Sequence, residues 1–212
     1  MPRSRPSPLT PEAFRRETGV SRETLARLEA YAALLARWQR RINLASAASL
    51  GDVWRRHFLD SAQLFPYLPA SLGRLVDLGS GAGFPGLVLA ILGADGVELI
   101  ESDGRKCTFL AEAARVTETA VTIRNARIEW LPWAPADVVT ARALAPLQQL
   151  LASAERFLTC HSVCLFLKGA GVEEELTSAA KEWNMRVNRQ PSKTDPRGVV
   201  LHIQGITREL RC

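Results

Sequence analysis

Apolar positions recur at helical spacing through the first seventy residues and in short strand-like runs after them. Thr10, Pro11 and Glu12 make a helix start, with a side-chain cap, a proline at the first helical position and an acid in the first turn. Gly19 ends that helix. Ser21 is placed to cap the next, along which Leu25, Leu28, Ala32, Leu35, Trp38 or Gln39, and Ile42 recur three or four apart, with Asn43 closing it. A third helix is expected from about Asp52 to Phe65, with Trp54, Phe58, Ser61, Ala62 and Phe65 on one side and Pro66 and Pro69 beyond its end.

From Leu75 the spacing predicts strands at 75–78, 97–101, 120–124, 137–141 and 162–168, alternating with helices such as 87–92. A helix near 172–182 and strands near 184–188 and 198–204 follow. This order implies βαβ units, a mostly parallel sheet and an antiparallel final strand. The expected fold is therefore α/β, with residues 71–212 forming a Rossmann-like sheet domain and residues 1–70 a helical cap packed on it.

Composition refines this picture without changing it. The chain has 212 residues, 47% hydrophobic and 23% charged, enough for one core and an appendage. Its longest apolar run, Gly86 to Ala94, is far too short to span a bilayer. The basic, proline-rich N-terminus has no apolar core behind it, which argues against a secretory signal and for a cytoplasmic protein with no membrane partner. Cysteines at 107, 160, 164 and 212 lack metal-site spacing, so buried, reduced thiols and no metal are expected. The net charge of +5 is unevenly placed: residues 1–60 hold 11 arginines against six acids, whereas residues 61–212 hold 16 charges of each sign. A basic N-terminal quarter fits a surface that faces phosphates, or a solvated helix surface in an arginine-rich chain.

The most informative segment is Leu75-Val76-Asp77-Leu78 followed by Gly79-Ser80-Gly81-Ala82-Gly83-Phe84-Pro85-Gly86 and a helix. Glycines at alternate positions let a backbone turn tightly against a ligand, and the helix N-terminus beyond favours an anionic group. A dinucleotide loop needs a third glycine at position 84, where Phe84 stands, which disfavours a dehydrogenase. The spacing G-x-G-x-G is the one used around S-adenosylmethionine. Asp77 is placed for its ammonium group, and Glu101, 22 residues after Gly79, for its ribose hydroxyls. Arg127-Ile128-Glu129-Trp130 lies where the adenine would be held, with backbone groups at Ile128 and Glu129 serving its polar edge. Two methylation chemistries lack their motifs: there is no Pro-Cys nucleophile, and Thr140-Ala141-Arg142-Ala143-Leu144-Ala145-Pro146 is not the Asn/Asp-Pro-Pro-aromatic loop that grips an exocyclic amine.

Taken together, W-Q-R-R-I-N-L (38–44), R-H-F-L-D-S (56–61), V-D-L-G-S-G-A-G-F-P-G-L (76–87), E-S-D-G-R-K-C-T-F-L (101–110), T-A-R-A-L-A-P-L (140–147) and L-F-L-K-G (165–169) make a specific combination. The chain resembles the bacterial small-subunit ribosomal RNA guanine-N7 methyltransferase family, also called glucose-inhibited division protein B. The resemblance implies a class I S-adenosylmethionine-dependent methyltransferase acting on 16S rRNA or the small ribosomal subunit. It carries cofactor contact onto Gly79, Phe84, Ile128, Glu129 and Arg142, beside Asp77, Gly81, Gly83 and Glu101 from the loop itself. Glu101 stands where the family often has aspartate.

Guanine N7 bears a lone pair and no proton, so in-line attack on the sulfonium methyl needs no general base, and none stands out. Arg142 and Lys168 each end an apolar strand at the edge where such sheets bind ligands, and are the expected catalytic residues. Arg127, Lys168 and Arg197 are the expected RNA contacts. His57 and Asp60 are expected to make a structural hydrogen bond between cap and sheet domain. Competing readings are a class I methyltransferase acting on another RNA, a protein or a small molecule, and a non-catalytic ribosome-assembly factor keeping the fold. Nothing in the chain calls for more than a monomer.

Overall fold

A computed structural model describes residues 7–208. In the cap, α1 (Pro11–Thr18) starts on Thr10, whose hydroxyl accepts the Ala13 N–H, and stops at Gly19, left-handed at φ +73°. Ser21 caps α2 (Arg22–Trp38) in the same way. This helix ends four residues earlier than its apolar spacing suggests. Exposed Asn43 does not close it; the Gln39 amide does, accepting from Leu44 and Ala45 N–H and donating to the Ala45 carbonyl, so that the loop after α2 is clamped. Beyond the short α3 (Ala47–Leu50), the expected third helix breaks into pieces: a π-helical turn, Trp54–Leu59, then α4 (Asp60–Ala62) and a 3-10 turn, Phe65–Tyr67. The wide turn advances the helical phase by one residue. It leaves Phe58, Ser61 and Ala62 buried but turns Phe65 to solvent.

The rest is one seven-stranded sheet. Its strands are β1 (Leu75–Leu78), β2 (Val97–Glu101), β3 (Thr122–Asn125), β4 (Val138–Arg142), β5 (Val163–Lys168), β6 (Trp183–Pro191) and β7 (Val199–Arg208). The order is β3-β2-β1-β4-β5-β7-β6, parallel except where β7 pairs antiparallel with both β5 and β6. The first five strands start and end within two residues of the predicted bounds, while the final hairpin is longer. Helices α5 (Gly86–Ile91), α6 (Gly104–Val116), α7 (Leu147–Ala154) and α8 (Val172–Ala179) cover the two faces.

Side-chain alternation sorts the core into two layers. Leu75, Leu99 and Leu165 point to the side of α5, α6 and the cap; Val76, Ile100 and Phe166 point to that of α7 and α8. Cap residues Phe14, Leu28, Tyr31, Leu35 and Phe58 belong to the same continuous cluster as Leu87, Phe109 and Leu110. Each such side chain withdraws from water with roughly 1.5–3 kcal/mol of driving force, so cap and sheet are stabilised as one body. Cys107 and Cys164 are buried as expected, whereas Cys160 is exposed in the turn before β5, and Cys212 lies outside the described residues. No described helix is long and apolar enough to cross a membrane.

Candidate active site

The glycine loop leaves the carboxyl end of β1 with Gly79, Gly81 and Gly83 all at positive φ. At Gly79 a Cβ would stand 2.6 Å from a Leu144 methyl, so the loop after β4 closes directly over it. Gly83 serves a different purpose from the cofactor contact expected of it. A Cβ there would lie 2.5 Å from the Tyr31 hydroxyl oxygen and 2.9 Å from Leu87 Cβ, and that hydroxyl donates to the Ala82 carbonyl. Gly83 therefore lets the cap touch the loop from behind. Gly83→Ala is expected to lose about 2–4 kcal/mol of stability and roughly 5–15 °C of melting temperature by calorimetry. An unchanged midpoint would show that the Tyr31 contact does not constrain the loop.

Asp77 also departs from expectation. Its carboxylate is fully buried beneath the loop, accepting from Thr140 Oγ1 at 2.7 Å and Gly86 N–H at 3.2 Å, and does not face a cavity. Burial pushes its carboxyl up to about 6, against the stabilising hydrogen bonds. Its place is to tie β1, β4 and α5 together under the loop rather than to meet a ligand's ammonium group.

Two cavities flank the loop. One, of about 400 Å³, is lined by Gly79, Gly81, Glu101, Lys106, Arg127, Ile128, Glu129 and Leu144. Glu101, at the end of β2, accepts Gly81 N–H at 2.9 Å on one oxygen and Asp103 N–H at 2.8 Å on the other, leaving lone pairs toward this cavity. A vicinal diol suits that carboxylate, and the 3-10 turn Ile128–Trp130 offers backbone groups at the far wall. The donor set thus fits the nucleoside end of S-adenosylmethionine.

The second cavity, of about 550 Å³, opens between the cap, the carboxyl ends of β4 and β5, and the β6–β7 turn. Gly79, Gly81, Arg142 and Ala143 line both cavities and form their common wall. Ala143 has φ +51°, a left-handed conformation that costs a non-glycine residue about 1 kcal/mol and is held by its surroundings.

Arg142 organises the second cavity. Its guanidinium lies over the Phe84 ring, 5.0 Å from the centroid, and donates to Arg56 O at 2.9 Å, Asp60 Oδ2 at 3.2 Å and His57 Nδ1 at 2.7 Å. Phe84 is itself buried between Tyr31 and His57, stacked on both. The cap-to-sheet link expected of His57 and Asp60 is thus made through Arg142. Asp60 also accepts from Thr194 Oγ1 at 2.5 Å and Gln63 at 3.0 Å, and Gln63 Oε1 accepts Lys193 N–H, which docks the β6–β7 turn on the cap. Thr194 and Gln63 carry no motif and are recognisable only once 130 residues of intervening chain have folded.

Lys168 lines the second cavity but is tied down within the protein. Its side chain, 9% exposed, pairs with Glu175 at 2.5 Å and donates to Ala145 O at 2.9 Å, so it braces the loop after β4. Arg127 is exposed, with its guanidinium over Trp130, and Arg197 is exposed beside Asp195. Arg56, not singled out from the sequence, is exposed on the rim of the second cavity.

His57 has both ring nitrogens engaged, Nδ1 by Arg142 and Nε2 by Ser49 Oγ at 2.9 Å. Burial, and then the positive charges of Arg142 and Arg56, lower its pKa to about 3, so it is neutral at physiological pH. A histidine depressed below its ordinary value near 6.5 contributes stability that is complete above pH 6.5 and is lost as pH falls toward 3. Urea unfolding should show this loss in the native protein and a flatter profile in His57→Gln, the two differing by about 3 kcal/mol in their pH 7-to-4 change. Parallel profiles would mean that His57 protonates freely in the folded state.

A family model described as rRNA small subunit methyltransferase G matches residues 24–203. The ribosomal RNA small subunit methyltransferase G of Paramagnetospirillum magneticum is 59% identical over 198 residues, covering 93% of this chain and 97% of that protein. Among solved structures, a TehB-like SAM-dependent methyltransferase from Corynebacterium glutamicum aligns with a TM-score of 0.56 at 18% identity, covering 84% of this chain and all but 1% of its own. A variant of MtNAS solved in complex with S-adenosylmethionine aligns at 0.58 and 13% identity, covering 93% of this chain and 84% of its own.

Proposed function

The chain belongs to the rRNA small subunit methyltransferase G family, and from that premise we propose that its glycine loop separates a donor cavity from an acceptor cavity in which a guanine of 16S rRNA is methylated at N7. The protein is an rRNA methyltransferase with a class I fold. The observation that carries the finer reading is the wall shared by the two cavities, Gly79, Gly81, Arg142 and Ala143. A ligand held by Glu101 and the Ile128–Glu129 turn on one side is separated from a base on the other only by this backbone.

S-adenosylmethionine supplies an electrophilic methyl on its sulfonium. Glu101 would hold the ribose, Ile128 and Glu129 the adenine, and the Gly79–Gly81 backbone the methionine end. The acceptor cavity supports a target that needs no deprotonation, because its acids and bases are already engaged. His57 is neutral and bonded at both nitrogens, Asp60 accepts from Arg142, Gln63 and Thr194, and Glu175 pairs with Lys168. Rate is gained here by orientation: Arg142 fixes the cap, the Phe84 ring and the loop relative to one another. Because a duplex hides guanine N7 in a deep groove, the base enters this cavity unstacked. This reading puts the enzyme with ribosomes in the bacterial cytoplasm.

The test is transfer of a labelled methyl group from S-adenosylmethionine to 16S rRNA or small subunits from a cell lacking the enzyme, with products digested to nucleosides for mass spectrometry. Label in 7-methylguanosine at a single site is expected. Donor binding without label in RNA would overturn the guanine assignment and move the reading to another substrate.

A further inference from the structure

Away from both cavities, the outer faces of α2 and α6 enclose a third one of about 730 Å³, lined by Arg37, Arg40, Arg41, Arg115, Trp38 and Glu112 among others. Arg115 is neutralised by two hydrogen bonds to Glu112, both at 2.8 Å, and the same carboxylate is also within the field of Arg37. Arg37, Arg40 and Arg41 are exposed and make no salt bridge among the described residues. The groove therefore keeps a net charge of about three. Three guanidiniums held out in water with a half-buried indole between them add nothing to the core; together they match a chain of phosphates.

The chain runs directly from this groove to the acceptor cavity. Leu44, Ala45 and Ser46, which follow the arginines in the chain, line that cavity, and Gln39 clamps them with three hydrogen bonds of 2.8–3.0 Å. From Arg41 to Leu44 is at most about 11 Å of chain, the span of a couple of nucleotides. Exposed Arg56 stands on the far rim. Resting on the rRNA reading above, we propose that this groove binds the phosphate backbone of the rRNA strand flanking the target guanine, with Arg37, Arg40 and Arg41 as its contacts, and so supplies affinity without sequence recognition.

The experiment is retention of deproteinised 16S rRNA on filters across a sodium chloride series, comparing native protein with an Arg37→Glu/Arg40→Glu/Arg41→Glu variant, alongside titration with S-adenosylmethionine. The variant is expected to bind RNA at least tenfold more weakly at 0.1 M salt, and the slope of log affinity on log salt should be shallower by about 2, three phosphates at about 0.7 each. Donor affinity should be unchanged. A variant that loses donor binding has lost its fold, and the three single substitutions to glutamine then carry the comparison, each lowering the slope by about 0.7. A native slope in the variants overturns the groove. So does a slope unchanged on naked RNA but reduced on whole subunits, which would give the surface to a ribosomal protein. Failure of the native protein itself to bind or methylate either 16S rRNA or small subunits would instead sink the functional reading, and the groove with it.

Discussion

Arg142→Ala is expected to lower kcat/KM for rRNA methylation at least ~100-fold, a loss of about 3 kcal/mol or more of transition-state stabilisation. The side chain donates to three acceptors, from Arg56, His57 and Asp60, and covers the Phe84 ring, so its removal frees cap, loop and sheet from a common anchor. It also leaves the Asp60 carboxylate, 18% exposed, facing the cavity without its cation. Breaking a fully buried pair from one side costs about 3–5 kcal/mol; for this partly solvated one about 2–3 kcal/mol of folding stability is expected. The double variant Arg142→Ala/Asp60→Asn should be less destabilised than the sum of its parts by at least about 1 kcal/mol, measured by urea unfolding. Additive losses would mean that the two residues act independently, and wild-type turnover in Arg142→Ala would remove Arg142 from the site.

The second large effect is expected at Glu101. Replacing it with alanine deprives Gly81 N–H and Asp103 N–H of a charged acceptor, each bond contributing about 1.5–3 kcal/mol, and removes the carboxylate that, on the proposed reading, would hold the ribose. Donor affinity measured by calorimetric titration should fall at least ~100-fold while RNA affinity, which the proposed arginine groove would supply, stays near native. Glu101→Asp should retain donor binding within about tenfold, since a shorter acid keeps the charge at the same strand end. Equal donor affinity in native and alanine proteins would place the ribose elsewhere.

Much of this could be read in the chain because it is local. Strand positions follow from runs of apolar residues buried on both sheet faces, and helix starts from Thr10 and Ser21, whose hydroxyls reach only three residues ahead. The glycine spacing and Glu101 were legible for the same reason: close backbone approach and a strand-end carboxylate are properties of a few adjacent residues. The readings that changed depend on what lies opposite. Gly83 is shaped by Tyr31 across 52 positions, and Asp77 by Thr140 across 63. Lys168 has a strand-end position suited to a ligand but faces Glu175 on α8, and no spacing within either segment announces that pair. The π turn at Trp54–Leu59 likewise leaves no periodic signal, since a single added residue per turn simply blurs the apolar stripe.

The docking of the β6–β7 turn on Asp60 and Gln63 has a consequence for synthesis. The cap leaves the ribosome before the sheet, so its apolar face has nothing to cover until the strands from Leu75 onward emerge, and the second cavity has no outer wall until Thr194 does. At about 5–20 residues per second, that delay lasts on the order of ten seconds or more. A nascent chain can form the glycine loop while the second cavity still lacks its outer wall, so that cavity is complete only once the β6–β7 turn has been made.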